Sequence, residues 1–208
     1  MKILSAMALL TCVGVFSASA ADVIESWGDA GPLTAPALKP VALEGKETAL
    51  ILLDFSQGVC NAEKRPRCFQ TLPKVASVLK AARASGATVI YSLLRGAGLE
   101  VIPPEIAANP GELSVPSFGA DKFYGTDLEQ MLKGRGIKNL VLVGTSAQGA
   151  VLFTSGGGAL RNYNVIVPVD TASSETLQGE QTAIWVLANG PNSVSGKVTL
   201  TRSDMLHF

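Results

Sequence analysis

One histidine, His207, and three cysteines in 208 residues leave this chain poorly equipped to hold a transition metal. A structural zinc site needs four nitrogen or sulfur ligands, and a catalytic one needs three. No metal and no cofactor is therefore expected. Charge is scarce as well: Lys, Arg, Asp and Glu make up 16% of the residues, with 17 basic against 17 acidic. Without a basic stripe the sequence gives no support to a nucleic-acid or anionic-membrane partner. No long hydrophobic run is present either. The longest, Ile3 to Phe16, is mostly apolar but falls short of the roughly 20 residues that span a bilayer, and no internal repeat is visible.

That short run has the layout of a secretion signal. Lys2 supplies the positive start, Ile3 to Phe16 the apolar stretch, and Ala18-Ser19-Ala20 a small-residue cleavage site. Cleavage after Ala20 predicts a soluble periplasmic or secreted protein beginning at Ala21. Lys2 is the only charge removed, so the mature net charge becomes −1. Cys12 leaves with the signal. In an oxidising compartment the remaining Cys60 and Cys68 can close a short disulfide loop. A free catalytic thiol and a metal site stay open as alternatives.

The mature length suits one domain with a sizeable core, and 47% hydrophobic residues argue against disorder. Residues 21–44, with Gly31-Pro32, Ala35-Pro36 and Lys39-Pro40, read as an extended lead-in, for which Trp27 offers an anchor. A single domain is expected over 45–208. Ala49 to Asp54 is a continuous apolar run ending in a carboxylate, the pattern of a strand buried on both faces. Leu72, Val75, Ala76, Leu79 and Ala82 recur at helical spacing, and Gly86 stops that helix. Ala87 to Leu93 is a second strand. Gly96 to Gly119, with four prolines, reads as loop with a short helix near Glu105.

Thr126 and Glu129 have the spacing of a capping box for a helix reaching Gly134 or Gly136. Strands follow at Asn139–Gly144, Asn164–Val169 and near Val198–Leu200. Helices are predicted from Gly149 towards Arg161 and over Glu180–Leu187. Gly156-Gly157-Gly158 implies a close backbone approach or a break, since each glycine costs about 1 kcal/mol in a helix. Strands alternating with helices predict an α/β fold, a mostly parallel sheet covered by helices on both faces. Ligands gather at the carboxyl ends of such strands. Asp54, the Thr145–Gly149 turn and Asp170 all fall there.

Three segments carry a resemblance to a known family. They are Ala49-Leu50-Ile51-Leu52-Leu53-Asp54-Phe55, then Phe123-Tyr124-Gly125-Thr126-Asp127-Leu128, then Gly144-Thr145-Ser146-Ala147-Gln148-Gly149-Ala150-Val151-Leu152-Phe153-Thr154. Their order and spacing resemble the isochorismatase-like cysteine hydrolases over roughly Ala49 to Ser174, with Val169-Asp170 at a further strand end. The resemblance implies a Rossmann-like three-layer sandwich, a small-molecule substrate and a homo-oligomer. It also implies an Asp-Lys-Cys triad that hydrolyses amides or related C–N bonds through an acyl-cysteine.

Carried over by position, Asp54 is the proton-moving aspartate, and Phe55, Thr145 and Gln148 belong to the pocket. The Thr145–Ser146 peptide would be cis, and the amides of Ser146 and Ala150 would form the oxyanion hole. The nucleophile position holds Ala150, whose methyl group cannot attack a carbonyl. The family lysine position falls on Ser117. Lys122 could reach the pocket from another backbone position, or lie solvated beside Asp121. Asp54 could equally cap a neighbouring helix, and Gln148 could merely cap the turn. His207 reads as a surface residue, and one histidine cannot build the ligand set of the metal-containing nicotinamidases.

Three functional readings follow. In a hydrolase without thiol catalysis, Asp54 serves as general acid or base, as in the family members that cleave a vinyl ether without the cysteine. In a catalytically inactive pseudo-hydrolase, the fold serves binding or assembly. An amidase inactivated by a Cys→Ala exchange would account for Ala150 but not for Ser117.

Overall fold

The continuous apolar run at Ala49 becomes the centre of a parallel sheet in a computed structural model that describes residues 20–208. The expected signal, apart from Ala20, lies outside the described residues. In chain order the strands and helices are β1 (Val41–Ala42), β2 (Thr48–Leu53), α1 (Pro66–Ala84), β3 (Thr88–Leu94), β4 (Leu113–Ser117), α2 (Leu128–Lys133), β5 (Asn139–Thr145) and α3 (Leu152–Leu160). They continue with β6 (Asn164–Pro168), β7 (Ala172–Ser173), α4 (Leu177–Asn189), α5 (Asn192–Ser195), β8 (Val198–Thr201) and β9 (Leu206–His207). A π-helical turn, Ala147–Val151, joins β5 to α3.

The main sheet has the order β4-β3-β2-β5-β6-β8, with β7 pairing the end of β5, and all of these pairings are parallel. Alternation along β2 divides the core between two layers. Ala49, Ile51 and Leu53 face a cluster with Leu128 and Leu132 of α2, Ala159 of α3, and Ala183 and Leu187 of α4. Leu50 and Leu52 face the other, with Leu72, Val75, Val78, Leu79 and Ala82 of α1. Every β2 residue is buried, and full burial of each leucine or isoleucine is worth roughly 1.5–3 kcal/mol. The α/β sandwich is the expected one.

Several boundaries differ from the sequence reading. Part of the expected loop is the edge strand β4, paired to β3 from Ile90↔Leu113 to Leu94↔Ser117. Pro116 disguises it, because proline is excluded from central strands but tolerated at an edge where its missing N–H breaks no ladder. The expected capping box does not form. Asp127 holds the N-cap position of α2, Thr126 Oγ1 donates to the Lys122 carbonyl at 2.5 Å, and Glu129 pairs with Lys133 and Arg161. The α1 helix starts earlier than its periodicity indicates, with Pro66 in its first turn.

Residues 33–44 are bonded to the domain rather than merely leading into it. Lys39 N–H donates to the Leu200 carbonyl at 2.9 Å, and β1 pairs with β9. Residues 22–29, by contrast, form short turns of their own.

The glycines of α3 resolve as close approach rather than a break. A Cβ on Gly157 would stand 2.6 Å from the Asp121 carboxylate, and one on Gly158 would stand 2.9 Å from the Leu140 side chain. A further close approach is at Gly144, where a Cβ would lie 2.4 Å from the Leu53 carbonyl oxygen between β2 and β5. Gly144→Ala is therefore expected to destabilise the fold by about 3 kcal/mol, the upper range of overpacking. Urea denaturation would register this as a lower midpoint.

Candidate functional site

Asp54 follows β2 in the left-handed backbone region, at φ 55°, a conformation that aspartate tolerates better than most side chains. There its carboxylate is gripped on both oxygens. Ser92 Oγ of β3 donates to Oδ1 at 2.5 Å and accepts from the Asp54 N–H at 3.1 Å. Lys122 Nζ donates to Oδ2 at 2.7 Å.

Lys122 is only 1% exposed, which excludes the solvated loop lysine beside Asp121. An ammonium has three N–H donors and is tolerated in the interior only when they are satisfied. Here the acceptors are Asp54 Oδ2, Ser117 Oγ at 2.5 Å and the Gly119 carbonyl at 2.8 Å. Ser117 and Lys122 thus meet at one point, the hydroxyl from the end of β4 and the ammonium from five residues further on. Asp121 turns away and accepts from the Phe123 N–H at 2.9 Å.

The threonines of the two later motifs fix the lysine backbone. Thr154 Oγ1 on α3 accepts from the Lys122 N–H at 3.2 Å and donates to the Ala120 carbonyl. Thr126 holds the Lys122 carbonyl as described, and Gly125 turns the chain between them at φ 68°. The spacing from Phe123 to Thr126 is legible as a clamp on Lys122.

On the other side of the site, the Thr145–Ser146 peptide is cis. The π-helical turn that follows has Gly149 and Val151 N–H donating to the Ser146 carbonyl at 3.1 and 3.2 Å. Ala150 lies in this turn and is 4% exposed. Thr145 is buried, and its hydroxyl accepts from Arg65 at 3.0 Å. Gln148 accepts from Ser174 Oγ. Phe55 sits in the α1-side cluster with Cys60, Cys68 and Leu72.

Asp170 does not join this group. It accepts from Ser203 N–H at 2.9 Å and Ser203 Oγ at 2.7 Å, and pairs with Lys74. Burial pushes its carboxyl upward, but the two Ser203 bonds and Lys74 outweigh it and hold the pKa below the ordinary aspartate value. Asp170 ties the C-terminal segment to the sheet. His207 is exposed. Cys60 and Cys68 are joined as a disulfide. Among the described residues, no group of three or more His, Cys, Asp or Glu is placed to hold a metal, and no helix is long and apolar enough to cross a membrane.

Sequence reasoning missed Ser92, Ser174 and Glu180 as parts of the site and its supports. Ser92 had a signal: it is the one polar side chain inside the run Val89–Leu94, and it is fully buried. The others become visible only when distant segments meet.

Comparison with known proteins agrees with this fold. The family model described as the isochorismatase domain matches residues 48–201. The secreted isochorismatase effector Isc1 of Verticillium dahliae is 29% identical over 155 residues, covering 69% of this chain and 82% of that protein. The uncharacterised isochorismatase family protein YecD of Escherichia coli O157:H7 is 25% identical over 165 residues, covering 68% and 88%. Among solved structures, an isochorismatase from Pseudomonas putida KT2440 superimposes with TM-score 0.70 at 18% identity, covering 80% of this chain and 93% of the other. N-carbamoylsarcosine amidase from Thermoplasma acidophilum does so with TM-score 0.65 at 23% identity, covering 76% and 97%. At those identities the structural likeness speaks for the fold.

Proposed function

Because this chain belongs to the isochorismatase family, we propose that it is an exported hydrolase of small molecules in which water replaces the thiol and Asp54 moves the proton. The observation that carries the reading is the Lys122 ammonium, buried and triply bonded to Asp54, Ser117 and Gly119. Such a cluster is costly to bury, yet it stands at the carboxyl ends of the strands, where this fold class binds ligands.

The division of labour follows from the geometry. Ser92 and Lys122 fix both carboxylate oxygens of Asp54, so proton transfer occurs from one orientation. Lys122 balances the carboxylate charge. The amides of Ser146 and Ala150 offer donors to an oxygen that gains negative charge. The methyl of Ala150 leaves the attack to water. A vinyl ether suits this set well: Asp54 in its protonated form delivers a proton to the enol-ether carbon, water adds to the resulting oxocarbenium and returns a proton to the Asp54 carboxylate, and the hemiketal collapses to a carbonyl product and an alcohol.

Export is supported by the Lys2 to Ala20 pattern, by the Cys60–Cys68 disulfide, and by a relative described as secreted. The Ala150 methyl also favours a second reading, a pseudo-hydrolase that binds a small molecule without turnover. The test is hydrolysis of a panel of small vinyl ethers and amides by wild type and Asp54→Asn. The hydrolase reading expects turnover in wild type that falls by about 10²-fold or more in Asp54→Asn. Ligand-induced thermal stabilisation with no turnover in either protein would decide for the pseudo-hydrolase.

A further inference from the structure

We propose that Arg65 and Arg67 are positioning residues, and that the Cys60–Cys68 disulfide loop carrying them braces the Thr145–Gln148 turn of the candidate site. The inference deepens the hydrolase reading, because that turn carries Ser146, one of the two amides assigned to the developing oxyanion, and leads into Ala150, the other.

The connection is continuous. Arg65 donates through Nη1 to Thr145 Oγ1 at 3.0 Å and through Nη2 to Glu175 Oε1 at 3.0 Å. Arg67 grips Glu180 of α4 with both ends of its fork, Nε to Oε1 at 2.8 Å and Nη2 to Oε2 at 2.5 Å. Glu180 Oε1 also accepts from the Ser174 N–H at 3.0 Å. Ser174 Oγ then accepts from the Ala147 N–H at 3.2 Å and donates to Gln148 Oε1. Thus one arginine touches the residue before the cis peptide, and the other reaches the next turn amide through Glu180 and Ser174.

Magnitudes argue that position, rather than bulk stability, is the purpose. Glu175 is 69% exposed and Arg67 38% exposed in their side chains, and ion pairs at such exposure contribute little to folding. A forked arginine–carboxylate pair nevertheless fixes direction well. The arginines are themselves held in place. Both lie between the disulfide cysteines, and Pro66 between them fixes a backbone torsion at the start of α1. Without the covalent closure, ordering this loop carries a larger entropy cost.

The test is hydrogen–deuterium exchange on the oxidised chain, with wild type compared to Arg65→Gln, Arg67→Gln, Arg67→Lys and the Cys60→Ser/Cys68→Ser double variant. Exchange at residues 146–151 should rise about ten-fold in both glutamine variants and in the double serine variant, while central β2 amides stay protected. Arg67→Lys, which keeps the charge but not the fork, should fall between wild type and Arg67→Gln. Unchanged exchange at 146–151 in all variants would overturn the proposal. So would an equal rise across the sheet, which would mark a general loss of stability. Because exchange is read without any substrate, the result stands apart from whether the chain hydrolyses anything.

Discussion

Lys122→Met is expected to destabilise the protein by about 3–5 kcal/mol, the cost of leaving one member of a buried ion pair alone. Asp54 would lose its bond at Oδ2 but keep Ser92 on Oδ1, so an unbalanced carboxylate would remain between β2 and β3. The Ser117 hydroxyl and the Gly119 carbonyl would lose their donor as well. Adding Asp54→Asn removes the stranded charge, and the double variant should recover part of the loss. A double-mutant cycle by urea denaturation measures this. A coupling well above about 0.5 kcal/mol is expected, and simple additivity would mean that the two groups do not depend on each other.

Ala150→Cys is expected to create a working thiol site in a single step. The Lys122 ammonium already lies against Asp54 and within 2.5 Å of Ser117 Oγ, so no lysine needs to be added at position 117. The new sulfur would sit in the turn after the Thr145–Ser146 cis peptide. With Asp54 available to take its proton, it should form a covalent acyl adduct with small activated amides or esters. Hydrolysis of such compounds should exceed wild type by about 10²-fold or more. Intact-mass measurement would show the adduct, and Asp54→Asn in the same background should suppress it. An inert Ala150→Cys variant with an unchanged fold would argue that the acid–base half of the site is not functional.

Most of the fold and half of the site are legible in the residues alone, for physical reasons. Apolar runs such as Ala49–Leu53 declare a buried strand because both faces must be covered. Edge strands give weaker signals, and β4 is hidden because Pro116 is harmless only at an edge. Asp54 stands out as a charge ending an apolar run. Lys122 is not assignable by counting, since a long flexible side chain can reach one point in space from several backbone positions. What settles its direction is a set of partners from distant segments: Ser117, Gly119, Thr126 and Thr154. The capping-box pattern at Thr126 misleads because Glu129 pairs with Lys133 and Arg161 instead of reaching back, while the Thr126 hydroxyl accepts from the Leu128 N–H and donates to the Lys122 carbonyl. The Arg67–Glu180–Ser174 connection spans α1, α4 and the end of β7 and leaves no trace in local sequence.

The central claim is that Asp54 performs proton transfer in a site without a thiol, and its most direct test is hydrolysis of a small vinyl ether in deuterium oxide. Turnover by wild type should place one deuterium on the former enol-ether carbon of the carbonyl product. The rate should saturate with substrate and fall by about 10²-fold or more in Asp54→Asn. Equal rates in the two proteins, or no turnover by a folded wild type that binds the probe, would contradict it.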